Sequence, residues 1–356
     1  MPAPVRIGLI GNSFASKVQL PALRQIGGNI VVGIAGADED KARDTAREWG
    51  IPKASGDWRD IIALDCDLVI LTTPVHLHAP MVRAALETRA AILCEKPFTL
   101  NAGEARELAD EAHGRLALLD HQLRWSPWRR RMREMFQEGF VGDLWNVRAE
   151  MIFGSEGRLN SPYTWWYDRE RGGGMLGAIG SHMLDALQFD LGPVDSVRAR
   201  LSTYRKERPD GHGVPQTVTA DEHASLWLRL ASGAEATVET NIMAPAETPT
   251  VLEYVGSAGT LRLANEETLL AARHGEPLEK VDLGSDAPRE EDLGPPDAGI
   301  FSRVLPLYLR DVLQAVRSES STLEHAATFD DGLATMRILD AARASADGAT
   351  WITCQP

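Results

Sequence analysis

The chain has 356 residues, 44% of them apolar and 25% charged, a composition that argues against extensive disorder and a length that suits two domains. Its 51 acidic residues outweigh 37 basic ones for a net charge of -14, which argues against nucleic acid as a partner; the one basic run, Arg129-Arg130-Arg131 with Arg133, is followed by Glu134 and Glu138. No stretch approaches the roughly 20 apolar residues of a membrane span, and Cys66, Cys94 and Cys354 are too few and too unpatterned for a disulfide framework or a zinc site, so a soluble protein of the reducing cytoplasm with no membrane partner is expected.

From Val5 to Asp120 short apolar runs alternate with helix-periodic charged ones: VRIGLI, a helix to about Ile26, IVVGIA, DKARDTAREWG, LVILTT, APMVRAALETR, AAILCE, AGEARELADEA and LALLD. Apolar strands separated by amphipathic crossovers indicate a parallel, doubly wound α/β sheet. From about Gly139 the strands lengthen and alternate: DLWNVRAEMIFG, SVRARLSTY, HASLWLRL, AEATVETN, TVLEYVG and GTLRLA. Turns such as Ala-Ser-Gly join them, which predicts an α+β domain with a large, mostly antiparallel open sheet. Helices are expected over Pro127–Glu138, Ile179–Leu191, Val304–Arg317 and Asp330–Ala344, and exposed loops over Arg205–Gln216 and Gly284–Gly299. The expected division is 1–122 for a Rossmann-type doubly wound domain and 123–356 for the α+β domain, with the C-terminal helices packing back toward the first domain.

The first strand runs into Gly11-Asn12-Ser13-Phe14-Ala15-Ser16. A dinucleotide loop of the form Gly-x-Gly-x-x-Gly turns tightly, lets backbone approach a pyrophosphate and packs close to the helix that follows. Only Gly11 matches strictly, and Ser13 and Ser16 are small enough to keep the geometry. After the second strand come Gly36, Ala37 and Asp38. An acid there binds a ribose hydroxyl, whereas an N-cap role for Asp38 explains the residue equally well; NAD and NADP both stay open.

Two further segments carry chemistry. Glu95-Lys96-Pro97 ends the AAILC strand, and Gly172-Gly173-Gly174 leads through Ala178-Ile-Gly180-Ser-His182 into a helix. With the glycine loop, Thr73-Pro74-x-x-x-His78, Leu20-Pro21-Ala22-Leu23, Arg124-x-x-Pro127 and Gly139-x-x-Gly142 in this order, the chain resembles the family of glucose-fructose oxidoreductase, inositol 2-dehydrogenase and MocA.

The resemblance implies an NAD- or NADP-dependent dehydrogenase that reversibly oxidises a secondary alcohol of a sugar, cyclitol or sugar derivative. Lys96 and His182 are the expected catalytic pair: an imidazole suits the moving proton and an ammonium suits the developing oxyanion. The cofactor is expected at Gly11, Asn12, Ser13, Phe14, Ala37, Asp38, Thr73, Pro74, His78, Glu95 and Lys96, and the substrate at Lys96, Arg124, Trp166 and His182. A homodimer or homotetramer formed through the exposed sheet face is implied as well. His76 and His78 have no third ligand placed for a metal, and none is expected. The family commonly has an aspartate four residues before the histidine, where this chain has Ala178; Asp185 and Asp168 are the candidates to replace it. Two alternatives stay open: an elimination or glycoside cleavage with internally recycled cofactor on the same fold, and a non-catalytic sensor of dinucleotide and sugar in which Ala178 marks lost chemistry.

Overall fold

A computed structural model describes residues 3–154, 159–246, 248–296 and 299–354. The chain forms two compact units, one from the residues up to Trp125 with Arg289–Leu333, the other from Ser126–Pro288 with the residues from Ala334 on. No helix among the described residues is long and apolar enough to cross a membrane.

The first unit is built on six parallel strands: β1 (Val5–Ile10), β2 (Asn29–Ala35), β3 (Ala54–Ser55), β4 (Leu68–Leu71), β5 (Ala91–Cys94) and β6 (Ala117–Leu119). They lie in the order β3-β2-β1-β4-β5-β6. The chain therefore leaves β1 toward one side first and the other side later, and the crevice at the carboxyl ends of β1 and β4 is where such sheets bind ligands. β4 and β5 are buried at every position, as strands covered on both faces must be. The crossovers approach closely: a Cβ at Gly8 would stand 2.9 Å from Ile61 Cγ2. Asp38 caps the helix Glu39–Trp49 through Lys41 N, and Gly50 closes it in the left-handed conformation. The helix Gly299–Arg317 belongs to this unit, with Leu305, Tyr308, Leu309, Val312 and Leu313 in one core with Val5, Ile7, Leu20 and Leu23. Tyr308 donates its hydroxyl to Leu119 O at 2.9 Å.

The second unit carries nine strands: β7 (Leu144–Ile152), β8 (Val194–Ser202), β11 (His223–Leu230), β12 (Glu235–Asn241), β13 (Val251–Gly256), β14 (Gly259–Ala264), β15 (Thr268–Arg273), β16 (Glu279–Lys280) and β17 (Ile352–Thr353). Their order is β16-β15-β14-β13-β7-β12-β11-β8-β17, antiparallel throughout except for the parallel β7–β12 pair. Ala224, Leu226, Leu228 and Leu230 of β11 are buried while Trp227 between them is 56% exposed, the alternation of a sheet covered on one face. On the covered face Tyr254 of β13 donates to Asp190 of the helix Ser181–Leu191 at 2.6 Å. The helix Pro127–Gln137 is fastened by Arg129, which forks onto Glu266 at 2.6 and 2.7 Å.

The largest difference from the sequence reading lies at Arg205–Gln216. The segment holds a hairpin of its own, β9 (Glu207–Pro209) and β10 (Pro215–Thr217), and Arg208 is fully buried, paired with the equally buried Glu222 at 2.8 Å. Charge and proline suggested exposure; the arginine instead finds acceptors for both terminal nitrogens in Leu159 O, Ser161 O and Glu222. Gly284–Gly299 contains two short 3-10 turns, Gly284–Asp286 and Glu290–Asp292, and residues 297–298 of it lie outside the described residues.

Candidate active site

In the first unit the expected cofactor residues stand at the carboxyl ends of adjacent strands: Gly11 to Phe14 after β1, Ala37 and Asp38 after β2, Thr73 and Pro74 after β4, Glu95 and Lys96 after β5. Gly11 has φ +108°, and a Cβ there would lie 2.5 Å from Thr72 O, so only glycine fits. Its amide donates to Ala35 O at 2.9 Å, and Thr72 donates its hydroxyl to Gly11 O at 2.9 Å. The helix starts at Ser13, and Ala15–Gln19 winds as a π turn before Leu20–Ile26; neither Ser13 nor Ser16 obstructs it. Asn12 Oδ1 is buried without a hydrogen-bond partner among the described residues. A cradle closed to side chains, a helix start facing it and one unsatisfied buried acceptor fit a dinucleotide.

Asp38 is occupied as an N-cap, accepting from Lys41 N at 3.1 Å, and that bond holds its carboxyl below the ordinary range. A Cβ at Gly36 would stand 2.9 Å from Asn12 Cβ, so an acid at that position would require the two loops to move apart. His78 is 1% exposed, with Nε2 2.9 Å from Thr73 O and Nδ1 3.1 Å from Phe98 O. It ties the loop after β4 to the chain beyond the cis Lys96–Pro97 bond, and burial pushes its pKa down.

Lys96 is half-buried, its ammonium 5.9 Å from the centre of the Phe301 ring. Loss of hydration lowers its pKa against the pull of Glu95 and Asp120, the direction that brings an amine toward proton exchange. Glu95 Oε2 accepts from Lys96 N at 3.3 Å. Arg124, 4% exposed at its side chain, pairs with Asp331 at 3.3 Å and donates to His325 O at 3.3 Å, all within the first unit.

In the second unit His182 is 2% exposed, the second residue of the helix Ser181–Leu191. The π turn Leu176–Gly180, with Ala178 at its centre, leads into that helix. Such turns recur at functional sites. Asp185, three residues beyond His182, is 3% exposed; Asp168 is spent capping Glu170 N at 3.0 Å. Trp166 is half-buried and meets Tyr167 edge-on at 5.4 Å. The glycine cluster sits against it: a Cβ at Gly173 would stand 2.3 Å from Trp166 O, and Gly174 has φ +112° beside Asp221.

Asp221, which the sequence reading missed, anchors this arrangement. Its Oδ2 accepts from Leu176 N at 2.7 Å and its backbone carbonyl from Met175 N at 2.9 Å. Burial raises its pKa to about 6. Arg208 was missed too: it donates to Ser161 O at 2.9 Å and lies 4.1 Å from the centre of the Tyr167 ring. The sequence signal for both was an acid pair, Asp221-Glu222, at the entrance to a strand. Among the described residues no three His, Cys, Asp or Glu side chains form a group able to hold a metal ion.

A dinucleotide cradle on a parallel sheet, joined in one chain to a large mixed sheet with a buried histidine behind a glycine cluster, defines the two-domain class of nicotinamide-dependent oxidoreductases. Residues 5–119 match the model of an oxidoreductase family with an NAD-binding Rossmann fold, and residues 129–262 match the GFO/IDH/MocA C-terminal domain; the chain belongs to the Gfo/Idh/MocA family. It is 28% identical over 362 residues to glucose-fructose oxidoreductase domain-containing protein 1 of Mus musculus, covering 97% of this chain and 91% of that one. It is 27% identical over 390 residues to levoglucosan dehydrogenase of Pseudarthrobacter phenanthrenivorans, covering 98% and 97%. A levoglucosan dehydrogenase structure in complex with NADH and L-sorbose superposes with TM-score 0.88 at 26% identity over 99% of both chains.

Proposed function

We propose that this oxidoreductase reversibly oxidises a secondary alcohol of a sugar, cyclitol or sugar derivative, with residues 1–122 serving the dinucleotide and residues 123–356 the substrate. The observation that carries the reading is the placement of Gly11, Thr73 and Lys96 on one carboxyl edge, after three adjacent strands of the parallel sheet. The similarity to levoglucosan dehydrogenase over nearly the whole chain supports a sugar as the substrate class.

Gly11 to Phe14, Thr73 and Pro74 would hold the dinucleotide, which when bound would supply the hydride acceptor or donor. His182 Nδ1 or Nε2 takes the hydroxyl proton as the carbonyl forms. Lys96 Nζ donates to the same oxygen and stabilises the charge that gathers there. His78, with both ring nitrogens on backbone carbonyls, acts by holding the loop after β4. Arg124, already paired with Asp331, and Trp166 complete the substrate contacts. Asp185, on the helix of His182, is the acid offered in place of the one missing at Ala178. Copies of the chain associate as a dimer or tetramer through the uncovered face on which Trp227 lies.

The test is nicotinamide absorbance during incubation of the purified protein with NAD or NADP and a panel of sugars, cyclitols and sugar acids. Reduction that falls by about 10² to 10⁴ in His182→Ala, the range for general acid–base groups, supports the reading. Tight cofactor binding with no reduction by any member of the panel overturns it.

A further inference from the structure

Two carboxyl groups of the first unit lie together where hydride transfer alone does not call for them. Glu95 follows β5 and Asp120 follows the neighbouring β6, brought side by side by the bond from Asp120 N to Cys94 O at 2.8 Å. Asp120 is 1% exposed. One oxygen of each group is accounted for: Asp120 Oδ2 accepts from Gln19 Nε2 at 2.9 Å, and Glu95 Oε2 from Lys96 N at 3.3 Å. The others, Asp120 Oδ1 and Glu95 Oε1, are buried and receive no donor from the described residues, and the register that pairs Cys94 with Leu119 makes Glu95 and Asp120 the next neighbours on the two strands. Ionised carboxylates only accept, so a proton held by the pair would supply the one donor that these two buried oxygens lack.

We propose that Glu95 and Asp120 hold one proton in common, and that this pair, moored by Gln19, fixes Lys96 beside a single negative charge; Asp120 and Gln19 are positioning residues for Lys96. Only the role of Lys96 rests on the dehydrogenase reading; the shared proton does not.

The electrostatics agree. Burial, then the neighbouring Glu95, push the Asp120 carboxyl well above its ordinary value. Burial also raises Glu95, but Lys96 draws it back down. Two like charges in one dry site do not both ionise, so one proton stays with the pair. Among the described residues the Cys94 thiol also acts on the pair; burial and both acids raise it, so it stays neutral. His121 follows Asp120 in the chain and is 3% exposed. With one proton in the pair, the cluster of Glu95, Lys96 and Asp120 has no net charge; losing that proton sets a second anion beside Lys96.

Infrared difference spectra of the cofactor-free protein test the proton directly. At neutral pH the wild type should show a protonated-carboxyl stretch that is absent from Asp120→Asn, and superimposable spectra would overturn the proposal. The positioning role is read by acetylation of Lys96 followed by mass spectrometry. Its pH midpoint should be unchanged in Asp120→Asn, where the amide N–H replaces the acid O–H, and should move by about one pH unit in Asp120→Leu or Gln19→Leu. Equal behaviour of Asn and Leu at 120 would refute it. Where a sugar is turned over, kcat/KM at neutral pH should stay within about threefold in Asp120→Asn and drop about tenfold in Asp120→Leu, and the alkaline fall of the wild type should be missing from Asp120→Asn alone. Absence of turnover with every sugar defeats the dehydrogenase reading and leaves the infrared and acetylation results to decide this one.

Discussion

The two units place their candidate site residues by different means. In the first, each expected residue follows directly from a strand end: Gly11 after β1, Thr73 after β4, Lys96 after β5. A parallel sheet brings those ends together by its hydrogen-bonding order alone, so a short motif carries most of its own geometry. In the second, the segment that leads into the helix of His182 is held through contacts far away in sequence. Asp221, at the entrance to β11, receives the amide of Leu176, and Arg208 gathers Ser161, Tyr167 and Glu222 around it. Damage to the first arrangement should therefore be local and chemical, and damage to the second should spread.

The sharpest contrast is expected at Arg208. Arg208→Met leaves Glu222 without its partner at 0% exposure, and breaking a buried pair from one side costs roughly 3 to 5 kcal/mol. Thermal unfolding should move down by many degrees, and kcat for a sugar substrate should fall with the Trp166 segment loosened. NADH affinity, measured by fluorescence quenching, should remain near the wild-type value. Loss of NADH binding in proportion to the loss of turnover would erase the distinction between the units.

Gly11→Val is the converse. The new side chain would meet Thr72 O in a left-handed conformation that β-branched residues avoid. NADH affinity should weaken by about 100-fold or more, close to 3 kcal/mol, while the second unit keeps its protection in hydrogen exchange. Protection lost equally along β7, β11 and β12 would show that the cradle does not stand on the first unit alone.

This difference also explains what the sequence made legible. The strands of the parallel sheet, the loop at Gly11, and the motifs around Lys96 and His182 could all be read, because apolar runs and glycines act on their immediate neighbours. Asp38 was readable in both of its senses, and the structure finds it capping the helix Glu39–Trp49. Arg208 was not legible. A basic residue among prolines and glycines looks solvated until the distant Glu222, Leu159 and Ser161 supply its acceptors. Asp120 closed an apolar strand, LALLD, and nothing local indicated that its carboxyl would be buried on the strand next to that of Glu95. The π turns before Leu20 and before Ser181 were likewise invisible to a helical periodicity.

Asp221 should give the smallest effect, one visible only against pH. Its pKa is raised from 3.8 to about 6 by burial, so the folded state binds this proton more tightly than the unfolded one. Its contribution to stability is fully present below the unfolded value and is lost as pH rises through the folded one. Ionised at neutral pH, the buried carboxylate costs on the order of 2 kcal/mol. Asp221→Asn keeps an oxygen to accept from Leu176 N and cannot ionise. Measured by denaturant unfolding, the variant should gain on the wild type as pH climbs from about 4 to about 7, with NADH affinity unchanged because the first unit is untouched. Parallel stability curves across that range would mean that the positive ends of Arg343 and Arg169, which pull this carboxyl back toward ionisation, offset its burial in full, and the anchor beneath His182 would then be an ordinary charged cap.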